Sequence, residues 1–333
     1  MNDHLHSVEA VAAMIKKGDS LLLAGEEALL KKLPAGNWIG GTIPYFMEKE
    51  GGLVDRERIF VNTLPAGLKC QAIRRYTESN LAQVYSDLPA ATFGVIIAPA
   101  SSKVHLSFAL DAPNFPNFAM RPLVGWISGV HLSDLGKKAA KVFDGSAAAG
   151  LEDAAVVMQI ALPPGKVAQI GLLNIFKQGK GPVITFPENG FAAREVSIDG
   201  TRRNFAEYIK TSGLDTRLPL VADYCGSAVN VSIQAVDADK GEVRFYAPVF
   251  AGMRYHQAAP VGDYVNEFIS HLPQGIDARI AFSCNCILNY LYSGLEGKKT
   301  GSVACPITFG EIAYQLLNQT LAYVTIEDSK GAS

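Results

Sequence analysis

The 333-residue chain has no surplus of positive charge: 30 lysines and arginines face 32 aspartates and glutamates, for a formal net charge of −2. With no basic excess to neutralise phosphates, nucleic acid and anionic membrane are not expected partners. No apolar run is long enough to span a bilayer. The opening residues, MNDHLHSVEAVAAMIKKGD, also lack the apolar core of a secretory signal. Five cysteines form an odd set without framework spacing, which fits a reducing compartment. The expected location is therefore cytoplasmic.

Familiar catalytic signatures are missing as well. GWISG, residues 125–129, holds its serine one place too late for a nucleophile elbow. Gly179 and Gly181 lack the third glycine of a dinucleotide loop, and GLEGKKT has lysine where Ser or Thr must follow Gly-Lys. There is no His-Glu-x-x-His and no Cys-x-x-Cys. No cofactor or bound metal is expected, and an enzyme is less expected than a binding protein.

What the chain has is apolar bulk. Hydrophobic residues make up 48% and charged ones 19%, so a sizeable core is available. The length exceeds what one core usually serves, which predicts two lobes. Ser7 can cap a first helix, and SLLLAG, NWIGGT, RIFVNTL, FGVIIAPA and AAVVMQIALP read as strands. SKVHLSFALD reads as a helix, as does TRRNFAEYIKTSG, capped by Thr201 and stopped by Gly213. Asp237 to Gly241 marks a hairpin.

The stretch from Asp277 to Glu327 echoes the start of the chain: IAFSCN follows SLLLAG, GSVACPIT follows GNWIGGT, and TLAYVTI follows RIFVNTL. A glycine opens the middle strand of each set and a threonine, Thr42 or Thr308, closes it. The expected fold is α+β (mixed α/β), two related lobes of sheet packed with helices and an internal repeat. The boundary is placed in DGSAAAGLE, giving lobes 1–148 and 149–333.

Candidate chemistry gathers in that C-terminal stretch. Thr308 and Glu311 have the spacing of a capping box, which would start a helix there, and Thr42 with Pro44 would start another. Gly310 would let a small anion approach the helix start while Glu311 holds an ammonium, so an amino acid suits both. The plain alternative is a cap with no ligand. Cys284 and Cys286 flank Asn285 and would share one strand face. They would be nucleophiles, metal ligands if Cys305, Cys225, His256 or His271 folded in, or simply buried hydrophobes. Asn289, Asn318 and Gln319 lie among apolar residues, where an amide either knits loops together or faces a ligand. His105 and His131 read as structural histidines.

On these residues, FSCNC, PITFGEIAY and LLNQTLAYV, the C-terminal part resembles FIST-type sensory domains, and WIGGTIPYF is similar in placement to that family's N-terminal turn. The whole chain also resembles a group of bacterial proteins of this length that carry no assigned function. The FIST likeness implies an intracellular sensor of small ligands, amino acids among them, with Ser283, Cys284, Gly310 and Glu311 matching the family's pattern. Asn285 and Cys286 depart from it. With no kinase, receiver or cyclase segment in view, a signal would pass to a separate partner protein. The expected function is thus a small-ligand sensor using Thr42, Ser283, Cys284, Asn285, Cys286, Asn289, Thr308, Gly310 and Glu311. The alternatives are a cysteine-dependent enzyme and a partner-binding protein without catalysis.

Overall fold

The structure is a computed structural model and describes residues 4–224, 227–272, 275–276, 279–301 and 303–329. The chain opens with β1 (Leu5–His6), α1 (Val8–Lys16), β2 (Leu21–Gly25), α2 (Glu27–Leu30) and β3 (Trp38–Thr42). A hairpin, β4 (Tyr45–Glu48) and β5 (Gly51–Val54), precedes β6 (Ile59–Thr63). A second run follows: β7 (Lys69–Tyr76), β8 (Thr92–Pro99), α3 (Lys103–Asp111) and β9 (Leu123–Ser128). Its hairpin is β10 (Val142–Asp144) and β11 (Ala149–Leu151), and β12 (Ala155–Ala161) ends it.

The third run starts at β13 (Lys166–Leu173) and is interrupted by an insertion over residues 174–279. The insertion holds β14 (Ile184–Thr185), β15 (Gly190–Ala193), β16 (Glu195–Ile198), β17 (Thr201–Asn204) and α4 (Phe205–Ser212). It continues with β18 (Leu220–Tyr224), β19 (Ser227–Val231), β20 (Ile233–Asp237), β21 (Glu242–Val249), β22 (Tyr255–Gln257) and α5 (Tyr264–His271). The run then resumes as β23 (Ile280–Cys286), α6 (Ile287–Tyr292) and β24 (Cys305–Thr308). The hairpin β25 (Glu311–Ala313) and β26 (Gln315–Leu317) leads to β27 (Leu321–Asp328).

Among the described residues, three of the five sheets share one strand order: β1-β6-β2-β3-β10-β11, β7-β12-β8-β9-β25-β26 and β13-β27-β23-β24-β4-β5. In each, the two middle strands are parallel and joined through a helix, as a parallel crossover requires. The other neighbours in these sheets are antiparallel. The hairpin at the end of each sheet is lent by a different run. β4–β5 leave β3 and pair with β24, β10–β11 leave β9 and pair with β3, and β25–β26 leave β24 and pair with β9. The exchange closes a ring.

Burial explains the sequence patterns. β8 is buried along its whole length and reads as a continuous apolar run, whereas the edge strands β7 and β13 keep one face in solvent and largely alternate. One core cluster joins the three sheets, with Ile39 and Phe46, Ile97 and Trp126, and Cys284 and Ile307 among its members. The insertion builds a core of its own around Phe186, Phe205, Phe245 and Tyr255. Close approach at β3 depends on Gly41, where a Cβ would press on Trp126, Ile97 and Ser128.

Several expectations change. The fold is mixed α and β with several sheets, and three of these sheets draw strands from both sides of residue 148, so a 1–148/149–333 division cuts through them. Residues 145–148 are only the turn between β10 and β11, whose Asp144 and Ala149 pair directly. No helix starts at Thr308 or Thr42. The polypeptide continues into β25 and β4, because Glu311–Ala313 find partners in β9 and Tyr45–Met47 bury their side chains beside β24. The cap of α4 is Asn204, which accepts from the Glu207 N–H at 3.0 Å, and Thr201 opens β17 instead. Among the described residues no helix is long and apolar enough to cross a membrane.

Candidate functional site

The residues singled out in the C-terminal stretch do come together, as part of the core. Asn285 Oδ1 accepts from the Cys286 N–H at 2.8 Å and from Asn289 Nδ2 at 2.9 Å. Thr308 Oγ1 lies 3.2 Å from the Asn285 carbonyl oxygen and 3.1 Å from that of Gly310. Cys284 Sγ donates to the Gly125 carbonyl at 3.1 Å, and Ser283 Oγ reaches Ala304 O at 3.4 Å. Thr42 stands apart, its Oγ1 donating to Gly129 O at 2.7 Å and accepting from the Lys141 N–H at 2.9 Å. A Cβ at Gly310 would already meet Leu316 and Ile127 at 3.1 and 3.2 Å, so the glycine serves packing and leaves no open approach for an anion.

Glu311 is fully buried. Its Oε2 accepts from Thr320 Oγ1 at 2.8 Å and Thr320 N–H at 3.2 Å, while Oε1 has no partner. Burial outweighs these bonds and pushes its carboxyl up to about 8. A carboxyl neutral near pH 7 is a poor holder of an ammonium group. The same desolvation, with Glu311 close by, drives Cys284, Cys286 and Cys305 far above an ordinary thiol. These conditions favour inert thiols over nucleophiles. Among the described residues no three His, Cys, Asp or Glu side chains gather as a metal site, and Cys225 lies outside those residues.

The buried amides knit the insertion to the third run. Ser232 Oγ meets Asn318 Oδ1 at 3.0 Å and Gln319 Oε1 at 2.5 Å, and Asn230 Nδ2 donates to the carbonyls of both residues at 3.3 Å.

A cleft of about 710 Å³ opens above this floor, within the range of small-molecule sites. Ile287 and Leu288, next to Cys286, and Phe309, next to Thr308, form part of its lining. Ser101, Ser102 and His105 bring the start of α3 to one wall, and the insertion supplies Phe191 and Arg244 from β15 and β21. The sequence dictates the α3 end locally. Ser102 Oγ caps the helix by accepting from the His105 N–H at 3.1 Å and donates to Pro99 O at 2.7 Å. Ser101 takes a left-handed φ of 62°, and its N–H reaches His105 Nδ1 at 3.2 Å.

That bond decides the state of His105. With Nδ1 accepting, the neutral ring carries its proton on Nε2. Burial lowers its pKa to about 4, which keeps the ring neutral near pH 7. The residue is 8% exposed, yet Nε2 has no partner. A buried donor without a partner is unfavourable, and His105, which holds this one, is among the residues that line the cleft. Lys138 and Glu152, also on the lining, are already paired with Asp134 and Lys141, both at 2.9 Å. Leu106, Leu135 and Leu291 are exposed hydrophobics along the same cleft.

A family model described as a family of unknown function (DUF6976) matches residues 6–327. The chain belongs to this family. No curated protein and no solved structure matches it. The DUF6976 match covers almost the whole chain and overturns the FIST resemblance, which rested on short motifs. In the DUF6976 chain those motifs, FSCNC and TFGEIAY, are mostly buried strand ends. What the sequence did not reveal is the cleft itself. His105 was visible only as a histidine among apolar residues, and nothing in the insertion marked Phe191 or Arg244 as its neighbours.

Proposed function

We propose that this DUF6976 protein binds a small molecule in the cleft between α3, α6 and the insertion, and acts as a sensor read by a separate protein partner. The observation that carries the reading is that His105, whose buried Nε2–H has no protein partner, is among the residues lining a cavity of ligand size. The walls come from three stretches of chain, so an occupant would bridge the insertion to the second and third runs. The residues expected to touch the ligand, from Ser283 to Glu311, take a supporting role beneath the floor. We also read the three equivalent sheets as copies of one unit, in place of two lobes, because order, direction and hairpin exchange coincide.

The test is a thermal-shift screen of the purified chain against amino acids, organic acids, nucleotides and neutral metabolites. A ligand that binds only the folded state raises the melting temperature by mass action. Ala192, exposed on the cleft wall, gives the control: Ala192→Trp should abolish the shift of a true cleft ligand while the unliganded protein melts as before. A silent panel, or a shift that survives Ala192→Trp, would overturn the reading.

A further inference from the structure

Resting on that reading, we infer that the ligand is an amphipathic carboxylate: an acid group at His105 and Arg244, with a hydrocarbon body along the leucines of the cleft. Two observations place the head group. His105 Nε2–H is a buried donor that lacks an acceptor, and a carboxylate oxygen supplies one. Arg244 lines the same cleft and makes no ion pair among the described residues, in contrast to Lys138 and Glu152.

β15 links the neutral imidazole donor and the guanidinium. Phe191 packs edge-on against the His105 ring at 6.1 Å between centroids, and its neighbour Ala192 pairs directly with Arg244 on β21. The start of α3, where unpaired backbone N–H groups favour negative charge, borders the same point. The body of the ligand follows from the rest of the lining. Leu106, Leu135 and Leu291 are exposed there, and Ile287, Leu288 and Phe309 lie below them. A lone inorganic anion would leave this surface wet, and a pure hydrocarbon would leave His105 unpaired.

Asp153 also lines the cleft and makes no ion pair among the described residues. A carboxylate can therefore come from a simple acid or from an amino acid whose ammonium meets Asp153. The probes are octanoate, 2-aminooctanoate and 1-octanol, titrated calorimetrically into the full chain. Octanoate or 2-aminooctanoate should bind at least tenfold more tightly than octanol, and the tighter of the two names the source. His105→Phe keeps a ring against Phe191 and should weaken the acid at least tenfold and octanol by clearly less, since a neutral hydroxyl is the weaker acceptor. Arg244→Gln, on an exposed strand position, should weaken the acid again and guards against a folding defect in the first variant.

Equal affinity for octanol and the acids would overturn the carboxylate inference and leave ligand binding in the cleft intact. Acid binding that neither variant weakens would overturn it too. No binding by any of the three probes overturns it, and the broader screen then decides whether the cleft binds anything.

Discussion

Replacing Glu311 by glutamine should stabilise the protein, and by an amount that grows with pH. The carboxyl has an ordinary value of 4.5 and rises to about 8 in the fold. Its raised value means that the stability it contributes is whole below pH 4.5, where folded and unfolded chains are both protonated. Between 4.5 and about 8 only the unfolded chain ionises, and stability falls by about 1.4 kcal/mol per pH unit. The loss is about 3 kcal/mol at pH 7 and levels off near 5 kcal/mol above pH 8. Glutamine never ionises, and its amide oxygen can still accept from Thr320 Oγ1 and N–H. Cys284, Cys286, Cys305 and Tyr264, packed around the site, are all pushed upward and stay neutral across this window.

Urea unfolding of wild type and Glu311→Gln at pH 5, 7 and 9 measures the effect. The two proteins should differ little at pH 5, with the glutamine variant ahead by about 3 kcal/mol at pH 7 and more at pH 9. A difference that is the same at all three pH values, or a variant less stable at pH 9, would show that Glu311 is not a neutral buried acid.

Two further outcomes follow from packing. Cys284, Cys286 and Cys305 should resist alkylation in the native protein and react once urea unfolds it, while half-buried Cys70, its pKa raised to about 11, should react slowly. Mass spectrometry of pulse-labelled protein reads this by residue, and rapid native labelling of Cys284 or Cys286 would revive a nucleophile. Gly125→Ala should destabilise by about 3 kcal/mol or more, because its Cβ would fall on the Ile96 carbonyl in the neighbouring strand. A melting temperature like that of wild type would contradict the tight β8–β9 register.

Local structure was largely legible because local patterns decide it. Ser7 caps α1 as its sequence suggests, Gly213 stops α4 with a φ of 68°, and Asp237 to Gly241 turns β20 into β21. The strands of residues 20–64 and 280–326, whose sequences read as echoing one another, occupy matching places in the strand orders of their sheets. Among the misread points were the turns at Thr42 and Thr308, where a Ser/Thr-x-x-Glu spacing or a proline suits a helix start but fits a strand entry equally. Partners remote in sequence settled them. β24 claims β4 across more than 250 residues, and β9 claims β25 across nearly 190, pairings that no local window contains. The cleft is hidden for the same reason, since its walls meet only after the insertion folds back on α3.

The equivalence of the three sheets sharpens the case for α3 as the functional helix start. Each parallel crossover ends its first middle strand at a helix start: Glu26 for α2, Ser102 for α3 and Cys286 for α6. At α2 the Glu26 carboxylate meets the Arg56 guanidinium at 2.6 Å, so the position is closed by charge. At α6 the first residues, Ile287 and Leu288, are hydrocarbon, and the nearby polar Asn289 is sealed inside. Only α3, of the three, presents a capped turn with a buried donor lacking a partner beside an open cavity. Stability alone would favour closing that position, as the Glu26–Arg56 pair closes α2. On the proposed reading, a bound acceptor would offset the cost of the unpaired donor, and ligand binding would then stabilise the fold by mass action.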